Sequence, residues 1–375
     1  MMVSCWEDIF GQAETINKLK LFLSSKSLNH AYLFVGPKGV GKNTTAKVFA
    51  SAINCADDGC GSCPCCVKIA HETHPDVFHV SPEGNFITIG QIRKIQKEVN
   101  LKSFEASFKV YIIDEIEKMT AEAVNALLKV LEEPPGDVVF ILITSNLEGV
   151  LPTIVSRCYQ IYFRSIATDL VIDQIVQRYK VGKDKAKLVA KISGGIFGKA
   201  IEMIESERKL KRRESVLWLA ERLRILDVLE LVDWVNKLIG EIKNFIGEIK
   251  TKQDLELAEV GEIISNKGHF SRLKKRLAEK NKRERNREEL KAFEDILDVF
   301  SSWYRDILVL TGCSNEDLLV NVDRNEKLRE LSKEFSLQKA HNALVIIQET
   351  KRFLRFNVNK QLALEVMLFK LQEVA

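Results

Sequence analysis

A chain of 375 residues that is 46% hydrophobic and 29% charged has an ordinary globular composition and the length for two or three domains, which excludes a disordered tail or a disulfide-stapled miniprotein. With 56 basic against 52 acidic residues the net charge is only +4, so any surface for nucleic acid has to be local. No apolar run approaches the roughly 18 residues of a membrane span, and Met1–Asp8 has no leader pattern, so a cytoplasmic location is expected, with the eight cysteines reduced or bound to metal.

The first predicted element is an amphipathic helix whose apolar residues Ile16, Leu19, Phe22 and Leu23 recur at helical spacing. The turn before it, Phe10-Gly11-Gln12, reads either as plain packing or as the lining of a base pocket, with Gly11 and Gln12 as its candidates. An apolar run from Ala31 to Val35 then meets Gly36-Pro37-Lys38-Gly39-Val40-Gly41-Lys42-Asn43-Thr44. A strand, a glycine-rich loop and a helix in that order form a phosphate-binding loop. Gly36, Gly39 and Gly41 let successive N–H groups turn inward, the helix adds its positive end, and Lys42 reaches the outer phosphates. The hydroxyl that should follow the lysine to hold Mg²⁺ is replaced by Asn43. Thr44 points roughly 100° away on the helix and does not substitute for it. A nucleotide-shaped loop is therefore expected, without support for hydrolysis in it.

Downstream, Cys55, Cys60, Cys63 and Cys66 offer four thiolates at spacings that wrap one tetrahedral Zn²⁺, leaving Cys65 spare and His71 and His74 as surface or packing residues. His74-Pro75-Asp76-Val77-Phe78-His79-Val80 reads as a short strand after a proline turn, and an amphipathic helix through Ile92, Ile95 and Val99 follows. The apolar run Val110–Ile113 reads as a central parallel strand. It ends in Asp114 and Glu115, where open α/β sheets bind ligands; Asp114 is the candidate for holding Mg²⁺ and Glu115 for polarising the attacking water. A helix with Ala123, Val124, Ala126, Leu127, Leu128 and Leu131 on its apolar face is stopped by Pro134-Pro135. Another buried strand, Val138–Ile143, finishes in Thr144-Ser145-Asn146, polar groups suited to a γ-phosphate or its water. Arg157 follows in a short turn and by itself is an ordinary surface arginine.

Strands alternating with helices from Tyr32 to Phe163 give a doubly wound parallel-sheet α/β domain, and the rest reads as all-α. The expected division is an α/β nucleotide-fold domain over 1–165 with a zinc-binding insert at 55–66, a helical lid over 166–207 and a helical domain over 208–375. In the lid, a glycine-broken turn presents Lys199 at a helix start. The segment Arg272–Lys291 holds ten Lys or Arg against four Glu, which suits a solvated helix face or a contact with a DNA backbone.

Together the loop, the cysteines, Asp114-Glu115, Asn125–Lys129 with Leu131–Pro135, and Ser156-Arg157-Cys158 resemble the bacterial replicative clamp loader subunits, members of the AAA+ ATPase family. The resemblance spans essentially the whole chain. It is nearest the delta-prime type of DNA polymerase III, through Asn43 and the stretches Trp303–Asp306, Asn357–Asn359 and Leu362–Glu365. It implies a helical collar after the lid, and a hetero-oligomeric ring with gamma or tau and delta subunits that loads the sliding clamp onto primed-template DNA. By position it assigns Arg157 as an arginine finger acting in trans, Thr144 or Ser145 as the first sensor and Lys199 as the second, where arginine is commoner. Zn²⁺ would be structural, and Mg-ATP weakly held in this subunit. Two other readings stand beside it: a gamma- or tau-like motor that hydrolyses ATP itself, which Thr or Ser at position 43 would favour, and a stand-alone AAA+ branch-migration or remodelling machine, which would form a homo-oligomer.

Overall fold

Three strands carry apolar side chains at nearly every position because both faces of their sheet are covered. All residues of β1 (Ala31–Val35), of β3 (Lys109–Ile113) and of β4 (Val138–Thr144) are buried. The computed structural model describes residues 5–374 apart from 26–27, 85, 264–266, 355 and 357, and the side chains of 259–263, 267–276 and 280 also lie outside that description. Two compact units make up the chain, Met1–Ile201 and Glu202–Ala375.

In the first unit, α1 (Ala13–Ser24) precedes β1, and α2 (Lys42–Asn54) and α3 (Pro64–Ala70) follow it. Next come β2 (Val77–Val80), α4 (Ile89–Glu98), β3, α5 (Ala121–Glu132), β4, α6 (Pro152–Val155) and β5 (Tyr159–Tyr162). The sheet has the order β2-β3-β4-β1-β5 with every pairing parallel. Alternation along each strand splits the core in two. Tyr32, Phe34, Val110 and Ile112 pack with Phe49 of α2 and Ile69 of α3, whereas Leu33, Tyr111 and Ile113 pack with Ile92 of α4 and Leu127 of α5. Two further helices, α7 (Thr168–Tyr179) and α8 (Lys183–Ile192), and the first residues of α9 (Phe197–Glu205) complete the unit.

One loop of this unit is pinned by two buried charges. Asp76 is 2% exposed, and its carboxylate accepts the N–H groups of Phe104 (2.7 Å), Glu105 (2.8 Å) and Ala106 (3.0 Å). Lys109, 5% exposed, donates its ammonium to the carbonyls of Glu98 (2.8 Å) and Leu101 (2.5 Å). Burial pushes the Asp76 carboxyl up, but the three N–H donors outweigh it and hold its pKa below the usual carboxylate range. A depressed pKa contributes stability that is present above the unfolded carboxyl's pKa of about 4 and is lost as pH falls below that through the native value. Asp76→Ala, which leaves three amides without their acceptor, is expected to lower stability by about 2–4 kcal/mol at neutral pH. The gap to the native protein should narrow below about pH 4. Thermal unfolding across pH measures both; an equal deficit at every pH would contradict the assignment.

The second unit is helical: α10 (Glu207–Arg222), α11 (Val228–Ile263), α12 (Lys267–Cys313), α13 (Asn325–Ser332), α14 (Leu337–Leu354) and α15 (Lys360–Val374). Leu217, Ile239, Ile296, Trp303, Ile347 and Met367 belong to its single core. Inside it sits a polar cluster. Asp306 is fully buried and accepts the N–H groups of Val320 (3.1 Å) and Asn321 (2.7 Å) and the Asn321 side-chain amide (2.9 Å). Arg213, 2% exposed, donates to Asp323 (2.7 and 2.8 Å) and to Asn321 Oδ1 (2.8 Å). Within the basic run, Arg272, Lys274, Lys275, Arg276 and Lys280 lie outside the described side chains; Arg285 donates to Gln253 Oε1 (2.6 Å) and so ties α12 to α11. No helix among the described residues is long and apolar enough to cross a membrane.

Candidate functional site

The carboxyl ends of β1, β3 and β4 come together beside the phosphate-binding loop, since β4 lies between β3 and β1 in register. Gly36 N–H donates to the Thr144 carbonyl (3.3 Å), fastening the loop to the end of β4. Gly41 caps α2 with left-handed backbone (φ 102°), which glycine adopts without a Cβ penalty, and no side chain caps this helix. Its first amides are left to an anion. Lys42 is 7% exposed, and its ammonium donates back to the carbonyls of Gly36 (2.6 Å) and Pro37 (2.8 Å). Burial lowers its pKa to about 8, against the pull of Asp114 and Glu117. Thr44 follows half-buried on α2, and Thr45 donates its hydroxyl to the Gly41 carbonyl (2.9 Å).

Asn43 meets Asp114 directly: its Nδ2 donates to Asp114 Oδ2 at 3.1 Å. The other oxygen of Asp114 accepts the Glu115 N–H at 2.8 Å. Glu115 has left-handed backbone (φ 53°), unusual for a residue with a side chain and found at functional turns. Its carboxylate is paired with Lys118 (3.2 Å) and Lys38 (3.7 Å). Glu117, which sequence reasoning passed over, anchors the end of β4: Thr144 Oγ1 lies 2.9 Å and Ser145 Oγ 2.8 Å from its two oxygens. The available signal was the third acid in the run Asp114-Glu115-Ile116-Glu117.

The start of α9 reaches the loop through two glycines. Gly198 N–H donates to the Gly39 carbonyl (3.2 Å), and a Cβ at 198 would stand 2.7 Å from that oxygen. Lys199 is the next residue of α9. The turn at Gly11 and Gln12 is fastened to the end of the sheet: Gln12, 5% exposed, donates its side-chain amide to the Arg164 carbonyl (2.7 Å), and Phe10 packs on Phe197 with ring centroids 5.1 Å apart.

Arg157 follows α6, one-third exposed. Its guanidinium donates to Glu132 Oε1 (2.7 Å) at the end of α5 and to the Thr153 carbonyl (3.0 Å). Neither partner stood out in the sequence. Burial raises the neighbouring Cys158 thiol to about 12.

The sulfur atoms of Cys55, Cys60, Cys63 and Cys66 all lie within 4.8 Å of one another, and Cys55 Sγ is 3.7 Å from both Cys60 and Cys63. Four thiolates around zinc at about 2.3 Å have edges of about 3.8 Å, so the cluster fits a tetrahedral metal. Asp57 and Cys63 N–H groups point at the sulfurs of Cys55 and Cys60, both at 3.4 Å. The Ser62 hydroxyl, helped by the amides of Ser62 and Cys63, lowers Cys60 to about 6. Cys65 stays apart: its thiol faces the Asn54 carbonyl (3.8 Å), and burial raises it to about 11. His74 is buried as a packing residue, its Nδ1 accepting the Asp76 N–H at 3.1 Å.

Family models described as DNA polymerase III, delta subunit, and DNA polymerase III, delta subunit, C terminal, match residues 11–167 and 284–373. The chain belongs to the DNA polymerase III clamp loader subunits of the AAA+ family. Its similarity to Bacillus subtilis DNA polymerase III subunit delta' is 29% identity over 92% of each chain. To subunit tau of the same organism it is 27% over 98% of this chain and 61% of that relative's length. Among solved structures, a DNA polymerase III gamma subunit-related protein from Thermotoga maritima aligns with a TM-score of 0.45 and 18% identity, covering 95% of this chain and 98% of that one.

Proposed function

We propose that this clamp loader subunit acts as the delta-prime-like member of a hetero-oligomeric ring with gamma or tau and delta subunits, which loads the sliding clamp onto primed DNA. It hydrolyses no ATP in its own loop and contributes Arg157 to the ATP site of a neighbour. The observation that carries this reading is Asn43 Nδ2 on Asp114 Oδ2 at 3.1 Å, where a motor subunit needs a hydroxyl for Mg²⁺. Likeness to delta' along 92% of both chains agrees with it. In the same reading Zn²⁺ occupies the four cysteines and holds the insert, and Thr144, Ser145 and Lys199 keep sensor positions without turnover.

The purified chain is expected to run as a monomer with no phosphate release from Mg-ATP, and to enter a ring only when gamma or tau and delta are added. Size measurement and a phosphate assay on the chain alone decide it. Turnover would restore the motor reading, and a homo-oligomer the stand-alone machine.

A further inference from the structure

We propose that the loop takes a nucleoside di- or triphosphate without any divalent cation, Asn43 standing where the metal would be. In a phosphate-binding loop, Mg²⁺ is held by the hydroxyl after the lysine and by the strand-end aspartate, and it relieves the repulsion between that carboxylate and the phosphates. Here both oxygens of Asp114 already accept N–H donors, Asn43 Nδ2 at 3.1 Å and the Glu115 amide at 2.8 Å. The nearby carboxylates are engaged as well: Glu115 by Lys38 and Lys118, Glu117 by the hydroxyls of Thr144 and Ser145. Each acid at the site is therefore already hydrogen-bonded or ion-paired without a divalent cation. The groups that attract phosphate do not depend on a metal either. Lys42 is held at the loop, and α2 begins with uncapped amides after Gly41. To admit Mg²⁺, Asn43 would have to leave Asp114 and turn its oxygen outward, breaking a bond that the metal-free state keeps.

The proposal rests on the reading of this loop as non-hydrolysing, and the trans role of Arg157 does not enter it. Calorimetry of the zinc-loaded chain tests it, with ATP as its sodium salt in buffer passed over a chelating resin, because a soluble chelator would also strip the cysteine cluster. Millimolar Mg²⁺ is then added. The native chain is expected to bind with dissociation constants that agree within about threefold with and without Mg²⁺, and Lys42→Ala to give no heat in either buffer. Asn43→Thr should bind about tenfold more tightly when Mg²⁺ is present. Heat from the native chain only with Mg²⁺, or no heat in either buffer, overturns the proposal without need of a variant. Phosphate release by the native chain would instead overturn the reading of the loop, and the two failures are told apart in one sample.

Discussion

Arg157→Ala is expected to silence one ATP site of the reconstituted loader while leaving the variant chain folded and able to assemble. An arginine delivered to a phosphoryl-transfer transition state from a neighbouring subunit is worth on the order of 10³-fold or more, about 4 kcal/mol, at the site it faces. The other sites keep their own fingers, so the loss appears as a missing fraction of the pre-steady-state burst. Stability should hardly change, because the Arg157–Glu132 pair is solvent-exposed on both sides (34% and 51%), and exposed ion pairs contribute about 0–1 kcal/mol. Arg157→Lys should fail to restore the burst, since an ammonium lacks the planar fork that grips two phosphate oxygens. A full burst from the alanine variant would remove Arg157 from catalysis.

Loss of the metal should produce the second large effect. One zinc per chain is expected in the purified protein, and Cys60→Ser or Cys63→Ser should abolish most of it. Zinc binding by four thiolates is strong enough to order segments that do not fold alone, and the insert between α2 and α3 has almost no apolar core. The unfolding midpoint of the first unit is then expected to fall by on the order of 10 °C on stripping. A local reporter is built in. Trp6 Nε1 donates to the Asp58 carbonyl within the insert (3.0 Å), and the other three tryptophans, Trp218, Trp234 and Trp303, belong to the second unit. Metal-free protein with an unchanged midpoint and unchanged tryptophan emission would rule out a structural zinc.

Much of the first unit was legible because its constraints are local. The apolar runs at Ala31–Val35 and Val138–Ile143 became β1 and β4 almost residue for residue, and Pro134-Pro135 stopped α5 at Glu132. The loop and the four cysteines were visible because their chemistry fixes residue type and spacing together. What stayed hidden depended on tertiary choice. Glu117 meets Ser145 from 28 residues away, and Glu132 meets Arg157 from 25, and neither stretch shows which distant residue its acid will meet. Asp76 looked like part of a proline turn, yet it is the acceptor around which residues 104–106 are arranged. In the second unit periodicity gave helices but not their lengths. α11 and α12 are 36 and 47 residues long, and long amphipathic runs carry few signals of where to stop.

The polar cluster around Asp306 and Arg213 bears on how the second unit can change over time. Asp306 comes from α12, Arg213 from α10, and Asn321 and Asp323 from the stretch before α13, so the hydrogen bonds of the cluster are complete only when all three segments are in place. Removing Arg213 or Asp306 leaves buried hydrogen-bonding groups of the cluster unmatched, a loss of roughly 3–5 kcal/mol, whereas substitutions on the exposed faces of the same helices are nearly neutral. Such a unit melts as one piece, and it leaves the outer surface free to be rewritten for different neighbours while the interior is held constant.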